Sequence, residues 1–167
     1  MRWSSQWMLG HMTRAGPNIA VYPPAVSVIA PVTAVALEWL VPLAVLPAAG
    51  TLNSVVPGVV LLGAAGWLAM SGARAFRAAG TNVDPTQPVL KLVRSGPYRF
   101  TRNPMYLGMV VLQLGLALTF SLDWAVLGAA VVFVLLHFGV VLREEAYLTD
   151  LFGADYQAFL TQTRRWL

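Results

Sequence analysis

Apolar residues along the chain gather into four long runs, at about 26–46, 56–73, 104–120 and 124–142, parted by segments that are polar or mixed. A helix needs roughly 20 apolar residues to cross the bilayer core, so each run predicts a membrane-spanning helix. The first follows Tyr22-Pro23-Pro24 and contains Pro31, Pro42 and one acid, Glu38. The second carries Gly58, Gly63, Gly66 and Gly72, small residues that suit close helix packing. Only Ser121-Leu122-Asp123 separates the last two, which predicts a tight antiparallel hairpin. Gln113 in the third run is expected to hydrogen-bond across helices. Beyond the fourth run, Leu148, Leu151 and Phe152 fit one face of a continuing helix, and Gly153 ends it. Tyr156, Phe159 and Leu160 then mark an amphipathic final helix, which Arg164, Arg165 and Trp166 would anchor at lipid headgroups. Near the N-terminus, Trp3, Trp7 and Met8 have helical spacing and fit either an interfacial helix or a loosely ordered leader. The first 18 residues lack the apolar core and cleavage site of a signal peptide.

Together these elements predict an all-α integral membrane four-helix bundle. It forms a single membrane-embedded domain over 1–167, capped by a loop at 76–103 and by C-terminal amphipathic helices within 143–167. Composition agrees: 57% of residues are hydrophobic and 11% charged, against about 25% charged in soluble domains, and the mean hydropathy is +0.66. The basic residues decide orientation. Arg2 and Arg14 precede the first run. Arg74, Arg77, Lys91, Arg94, Arg99 and Arg102 lie between the second and third, and Arg143, Arg164 and Arg165 follow the fourth. The connections at 47–55 and 121–123 carry none, so the positive-inside rule puts both termini and the long central loop in the cytoplasm. The net charge of +4 flanks apolar runs and reads as topology and headgroup contact, with no nucleic-acid partner. The chain has no cysteine, and two isolated histidines, His11 and His137, make no metal site. His137, in the cytoplasmic half of its span, reads as a packing residue rather than a base.

The polar stretch KLVRSGPYRFTRNPMYLG, residues 91–108, is where chemistry concentrates. Lys91, Arg94, Arg99 and Arg102 bring four positive charges with no acid among them. Gly96-Pro97 marks a turn, and Asn103-Pro104 marks a helix start, with Asn103 at the cap and Pro104 in the first turn. A structured loop therefore ends where the third span begins. By contrast, Gly63-Ala-Ala-Gly66 is only a fragment of a dinucleotide fingerprint. It lies inside an apolar helix with no preceding strand, and no Rossmann pattern occurs.

The segments RSGPYRFTRNPMYLG and REEAYLTDLFGADYQAFLTQTRRWL, taken in order and spacing, resemble the isoprenylcysteine carboxyl methyltransferase family. These small membrane enzymes are themselves similar to phospholipid methyltransferases. The resemblance runs from about residue 76 to 167. It rests on Gly96-x-Tyr98, on Arg102-x-Pro104-x-Tyr106-x-Gly108, on Glu144-Glu145 and on Phe152-Gly153-x-x-Tyr156. It implies S-adenosylmethionine held without a Rossmann domain, between membrane helices and cytoplasmic loops. The positions matching the family's cofactor contacts are Leu90, Lys91, Leu92 and Val93, then Tyr98, then Asn103, Pro104, Met105 and Tyr106, then Glu144 and Glu145. Arg102, Asn103, Tyr106 and Glu144 are the implied catalytic residues. Two departures stand out. Asn103 replaces the histidine usual in eukaryotic members and cannot act as a titrating base. The substrate-side arginine expected one turn before the acidic pair falls near Val140, with Arg143 directly before the pair instead.

The residue chemistry is compatible with that implication. Glu144 and Glu145 can attract an ammonium or hydrogen-bond a ribose, and backbone groups at 92–98 can take an adenine edge and a carboxylate. Methyl transfer from a sulfonium is an in-line displacement with a neutral leaving group, so alignment and desolvation can carry it without a metal. The plainer reading is that the two glutamates solvate a helix end, Tyr106 is an interfacial aromatic and Arg102 a cytoplasmic anchor. The expected activity is methyl transfer from S-adenosylmethionine to a lipidic acceptor, with phospholipid amine N-methylation as the alternative. Outside enzymes, Glu38 inside an apolar span resembles the embedded acid of four-span small multidrug transporters, and a non-catalytic scaffold is the other alternative.

Overall fold

The computed structural model describes residues 16–167; Arg2, Trp3, Trp7, Met8, His11 and Arg14 lie outside the described residues. Helix α1 spans Pro23–Leu40, α2 Leu52–Ala79, α3 Pro104–Phe120 and α4 Asp123–Leu136. A π-helical turn, His137–Val141, joins α4 without a break to α5, Leu142–Phe152, and α6 spans Ala154–Gln162. A 3-10 turn at Gly96–Arg99 leads into α3. Among the described residues there is no strand, only an isolated parallel bridge between Thr101 and Arg164. The described residues are thus all-helical in class, as the periodicity predicts.

Among the described residues, three helices are long and apolar enough to cross a membrane: α1, α2 and the continuous helix Asp123–Phe152. The fourth apolar helix, α3, has 17 residues. At 1.5 Å per residue about 20 residues span the hydrocarbon core, so the 30-residue α4–α5 helix covers it by about residue 142. The polar residues of α5 lie beyond that depth.

Packing is tightest between α2 and α3. A Cβ on Gly108 would lie 2.9 Å from the Ala65 carbonyl oxygen, and one on Gly115 would lie 2.8 Å from a methyl of Leu62. The backbones therefore approach as only glycine permits. Gly58 and Gly72 of α2 face this contact, whereas Gly63 and Gly66 are exposed and have no neighbour where a Cβ would stand. The expectation that all four pack is corrected to two, because the close face of α2 is set by its register against α3. Gln113 is fully buried, and its Nε2 donates to the Ser27 carbonyl of α1 at 3.4 Å.

Two element boundaries differ from expectation. The first helix stops at Leu40, not near residue 46, because Val41 precedes Pro42 and the residue before a proline is pushed out of the α region. The second helix continues past residue 73 to Ala79 and ends at Gly80, φ 71°, so the first part of the expected cap loop is helical.

At the α3–α4 hairpin end, Asp123 is buried and its carboxylate accepts from the backbone N–H of Val45 (2.9 Å) and Leu46 (2.8 Å). Glu38 accepts from the Trp124 backbone N–H at 3.4 Å, so it sits at this same end. An apolar groove runs between α1 and α4 on the outer face, lined by residues such as Ile29, Leu37, Leu127 and Leu135. At the opposite end Val93, Tyr98, Tyr156 and Phe159 form a second core that ties the 80–103 segment to α6.

Candidate functional site

The site is a narrow cleft at the end of the bundle opposite the α3–α4 hairpin, with a cavity volume of about 70 Å³. Its walls come from the 82–93 segment, the 3-10 turn, the start of α3, the first turns of α5 and the α6 face. Local sequence dictates this assembly. Pro97 opens the 3-10 turn that buries Tyr98 against Phe76, and Pro104 restarts the helix two residues after Arg102. The π turn holds one residue more per turn than an α-helix, which rotates the start of α5 by on the order of 100°. In that register Glu144 meets Tyr106.

The Tyr106 hydroxyl donates to Glu144 Oε1 at 2.6 Å, a charge-assisted bond between α3 and α5. Glu144 keeps some accessible surface because it lines the cleft, while its carboxyl lies deep among protein atoms. Burial pushes that carboxyl up to about 7; the Tyr106 hydrogen bond opposes the shift and neighbouring Glu145 adds to it. Burial, and then Glu144, also push the Tyr98 hydroxyl above its ordinary value.

Glu145 stands in a different environment. Arg165 grips both its oxygens, Nε to Oε1 at 2.9 Å and Nη2 to Oε2 at 2.8 Å, and Arg102 Nη2 lies 3.4 Å from Oε1. The C-terminal segment reaches in to make this contact. The Arg164 carbonyl accepts from the Arg102 backbone N–H at 2.9 Å. The Arg165 carbonyl accepts from Asn103 Nδ2 at 2.9 Å and Thr101 Oγ1 at 3.2 Å. Trp166 Nε1 donates to His137 Nδ1 at 3.2 Å and its ring packs on Phe133. Arg165 and Trp166 therefore turn inward. The expectation that they anchor at headgroups is corrected: Glu145 and His137 offer them partners that periodicity could not reveal. His137 is engaged by Trp166 and by Phe133 and Phe138, as a packing histidine would be.

Among the residues singled out from sequence, Lys91, Leu92, Val93 and Tyr98 line the cleft, and so do Arg102, Asn103, Met105 and Tyr106. Glu144 and Glu145 complete the set. Leu90 and Pro104 do not line it. Leu90 is exposed and its backbone N–H donates to Thr81 Oγ1, while Pro104 is buried behind the first turn of α3. Asn103 makes no side-chain cap; its amide goes to the Arg165 carbonyl instead.

Several lining residues had no sequence signal of function. Asp84 closes a local turn by accepting from the Thr86 N–H at 2.9 Å and the Thr86 hydroxyl at 2.7 Å, and these bonds hold its carboxyl below the usual range. The Asp84-Pro85-Thr86 string is a turn signature that could have marked this wall. Tyr147 receives the Val89 N–H at 3.4 Å, and Tyr156 and Phe159 come from the helix expected to lie on the membrane.

The cleft pairs aromatic and aliphatic walls (Phe76, Leu92, Val93, Phe159) with three carboxylates, Asp84, Glu144 and Glu145, and two cations, Lys91 and Arg102. That donor set suits a ligand with a flat apolar ring and a charged tail. No curated protein and no solved structure matches the chain. A family model described as phospholipid methyltransferase matches residues 53–155, from the start of α2 into α6 and across most of the cleft. The chain belongs to the phospholipid methyltransferase family.

Proposed function

We propose that this membrane protein transfers a methyl group from S-adenosylmethionine to a lipidic acceptor that enters from the bilayer. The family supports a membrane methyltransferase, and members generally use this cofactor. The observation that carries the reading is the Tyr106–Glu144 pair in the wall of the cleft, a buried carboxylate presented to a ligand space. We read four spans, with α3 as the short fourth, and a cytoplasmic cleft mouth. Every Lys and Arg of the chain flanks the cleft end or precedes α1, in keeping with that orientation.

In this reading the cofactor supplies an electrophilic methyl group on a sulfonium. Glu144 holds the ammonium of its amino-acid tail, and Tyr106 fixes the carboxylate in place. Tyr98, the Lys91–Val93 segment, Asn103 and Met105 line the same cleft and would hold the rest of the cofactor. Glu145 holds Arg102 and Arg165 rather than the ligand. The chain's work would be alignment and exclusion of water: the thioether leaves neutral, and an amine acceptor would release its own proton to solvent at the cleft mouth.

An amine of a phospholipid headgroup is the favoured acceptor over an isoprenylcysteine carboxylate. The matching family is that of phospholipid methyltransferases. Val140, where the resemblance would put a carboxylate-binding arginine, is fully buried in an apolar cluster with Leu136 and Val141. Arg143 instead donates to the Asn18 carbonyl at 3.1 Å on an exposed face. Calorimetric binding of S-adenosylmethionine and S-adenosylhomocysteine to the detergent-purified protein, followed by a lipid screen with labelled cofactor, tests the reading. A folded protein that binds neither would overturn it.

A further inference from the structure

Arg102 stands at the corner between the 3-10 turn and α3, and its side chain retains only 10% of its surface. One terminal nitrogen faces Glu145 at 3.4 Å, but Glu145 already gives both oxygens to Arg165. The Arg102 Nε–H is buried and has no hydrogen-bond partner among the described residues. The residue lines the cleft beside Asn103, Tyr106 and Glu144. Two cations, Arg102 and Arg165, thus share the Glu145 carboxylate, while Glu144 is bonded to Tyr106. A guanidinium stays protonated in proteins, so this donor cannot be silenced by losing its proton. A buried donor left unmatched is costly, more so when charged, and an anionic acceptor is the strongest match for it.

We propose that Arg102 is an oxyanion-binding group of the cleft, its Nε–H donating to a carboxylate or phosphate oxygen of the bound ligand. The two sources rest on the function proposed above: the α-carboxylate of the cofactor's tail, close to the ammonium that Glu144 holds, or the phosphate of the acceptor lipid. Glu145 acts here as a positioning residue, and Arg165 keeps it from drawing Arg102 into a closed pair.

The test removes the anion from the ligand as well as the arginine from the protein. Calorimetry in detergent compares S-adenosylhomocysteine with its analogue lacking the carboxylate. A separate, cofactor-free titration compares dioctanoyl phosphatidic acid with dioctanoylglycerol, which differs by the phosphate alone. Both are run on the wild type and on Arg102→Lys, which keeps the charge toward Glu145 but lacks Nε. The expected result is about a tenfold gain from the anion in one of the two pairs, lost in Arg102→Lys. A gain in the first pair assigns the cofactor carboxylate; a gain in the second assigns the lipid phosphate. If neither anion improves binding to the wild type, or the gain survives in Arg102→Lys, the proposal is overturned and Arg102 is only the partner of Glu145. The wild-type ligand comparison stands even where the variant fails to fold. Failure of S-adenosylhomocysteine to bind, with an Arg102-dependent phosphate gain, would sink the methyl-transfer reading and leave this one standing.

Discussion

Glu38 and Asp123 sit at one end of the bundle, Glu144 and Glu145 at the other, and all four are acids at the edges of apolar helices. At the hairpin end the carboxylates receive backbone N–H groups: Val45 and Leu46 on Asp123, Trp124 on Glu38. Those bonds fasten the irregular segment after α1 to the α3–α4 turn. At the cleft end the partners are side chains, Arg165 and Arg102 on Glu145 and Tyr106 on Glu144. Backbone donors fix a carboxylate into the fold. Side-chain donors at the wall of a cleft hold it where a ligand can compete for it. The two ends thus differ in the identity of their donors, backbone N–H groups at one and side chains at the other.

The sharpest way to break the comparison is to neutralise one acid at each end. Glu144→Gln is expected to weaken S-adenosylhomocysteine binding by about 100-fold, the loss of a buried charge-assisted contact of roughly 3 kcal/mol. Glu38→Gln is expected to leave it unchanged. Calorimetry on both variants decides, and the reverse pattern would favour the transporter reading of Glu38. Asp123→Ala makes the complementary case. Two backbone N–H groups lose their acceptor, so a stability loss of about 2 kcal/mol is expected, seen as a lower thermal midpoint with ligand affinity intact.

Acidity separates the ends further. With the Glu144 carboxyl pushed up from 4.5 to about 7, cofactor affinity is expected to fall as pH drops below about 7, because the protonated acid no longer attracts an ammonium. The stability consequence has the opposite sign. A raised carboxyl favours folding below its unfolded value and loses that advantage as pH rises through the folded one. Between about pH 4.5 and 7 the wild type should therefore lose thermal stability relative to Glu144→Gln, by at most about 3 kcal/mol. Tyr106→Phe removes the donor that opposes the shift. It should cost about tenfold in affinity and move the acidic limb of the binding profile to higher pH.

Most of the fold was legible because hydrophobic runs, prolines and glycines act locally. Pro42 and Pro104 set where helices stop and start, and the Gly153 break reflects its backbone freedom. The cleft was legible only in part, through the motif residues of 91–106 and the acidic pair. The π turn at His137–Val141 left no mark in periodicity, yet it decides which face carries Glu144. The inward path of Arg165 and Trp166 depends on contacts with residues far off in sequence, Thr101, Asn103, His137 and Glu145. A pattern that reads Arg-Arg-Trp as a headgroup anchor has no access to such partners. For the same reason the sequence could not show how differently Glu144 and Glu145, adjacent and identical, are held.

The smallest expected effect tests whether those donors make the two glutamates different. Arg165 is more than a third exposed, so its ion pair with Glu145 is screened and its loss should cost little stability, well under about 1 kcal/mol. Its effect on the neighbouring acid is more specific. With Arg165→Gln, Glu145 keeps only Arg102, and its less compensated negative charge makes ionisation of Glu144 harder. The acidic limb of cofactor binding should then move to higher pH, with affinity well above that limb reduced by no more than about threefold. Calorimetry across about pH 5.5–9 on the wild type and Arg165→Gln reads both quantities. A uniform loss at every pH would mean that Arg165 acts through the position of the C-terminal segment. A displaced limb with a nearly constant plateau would mean that it acts through charge, and that Glu145 shapes the site by what it holds rather than by what it binds.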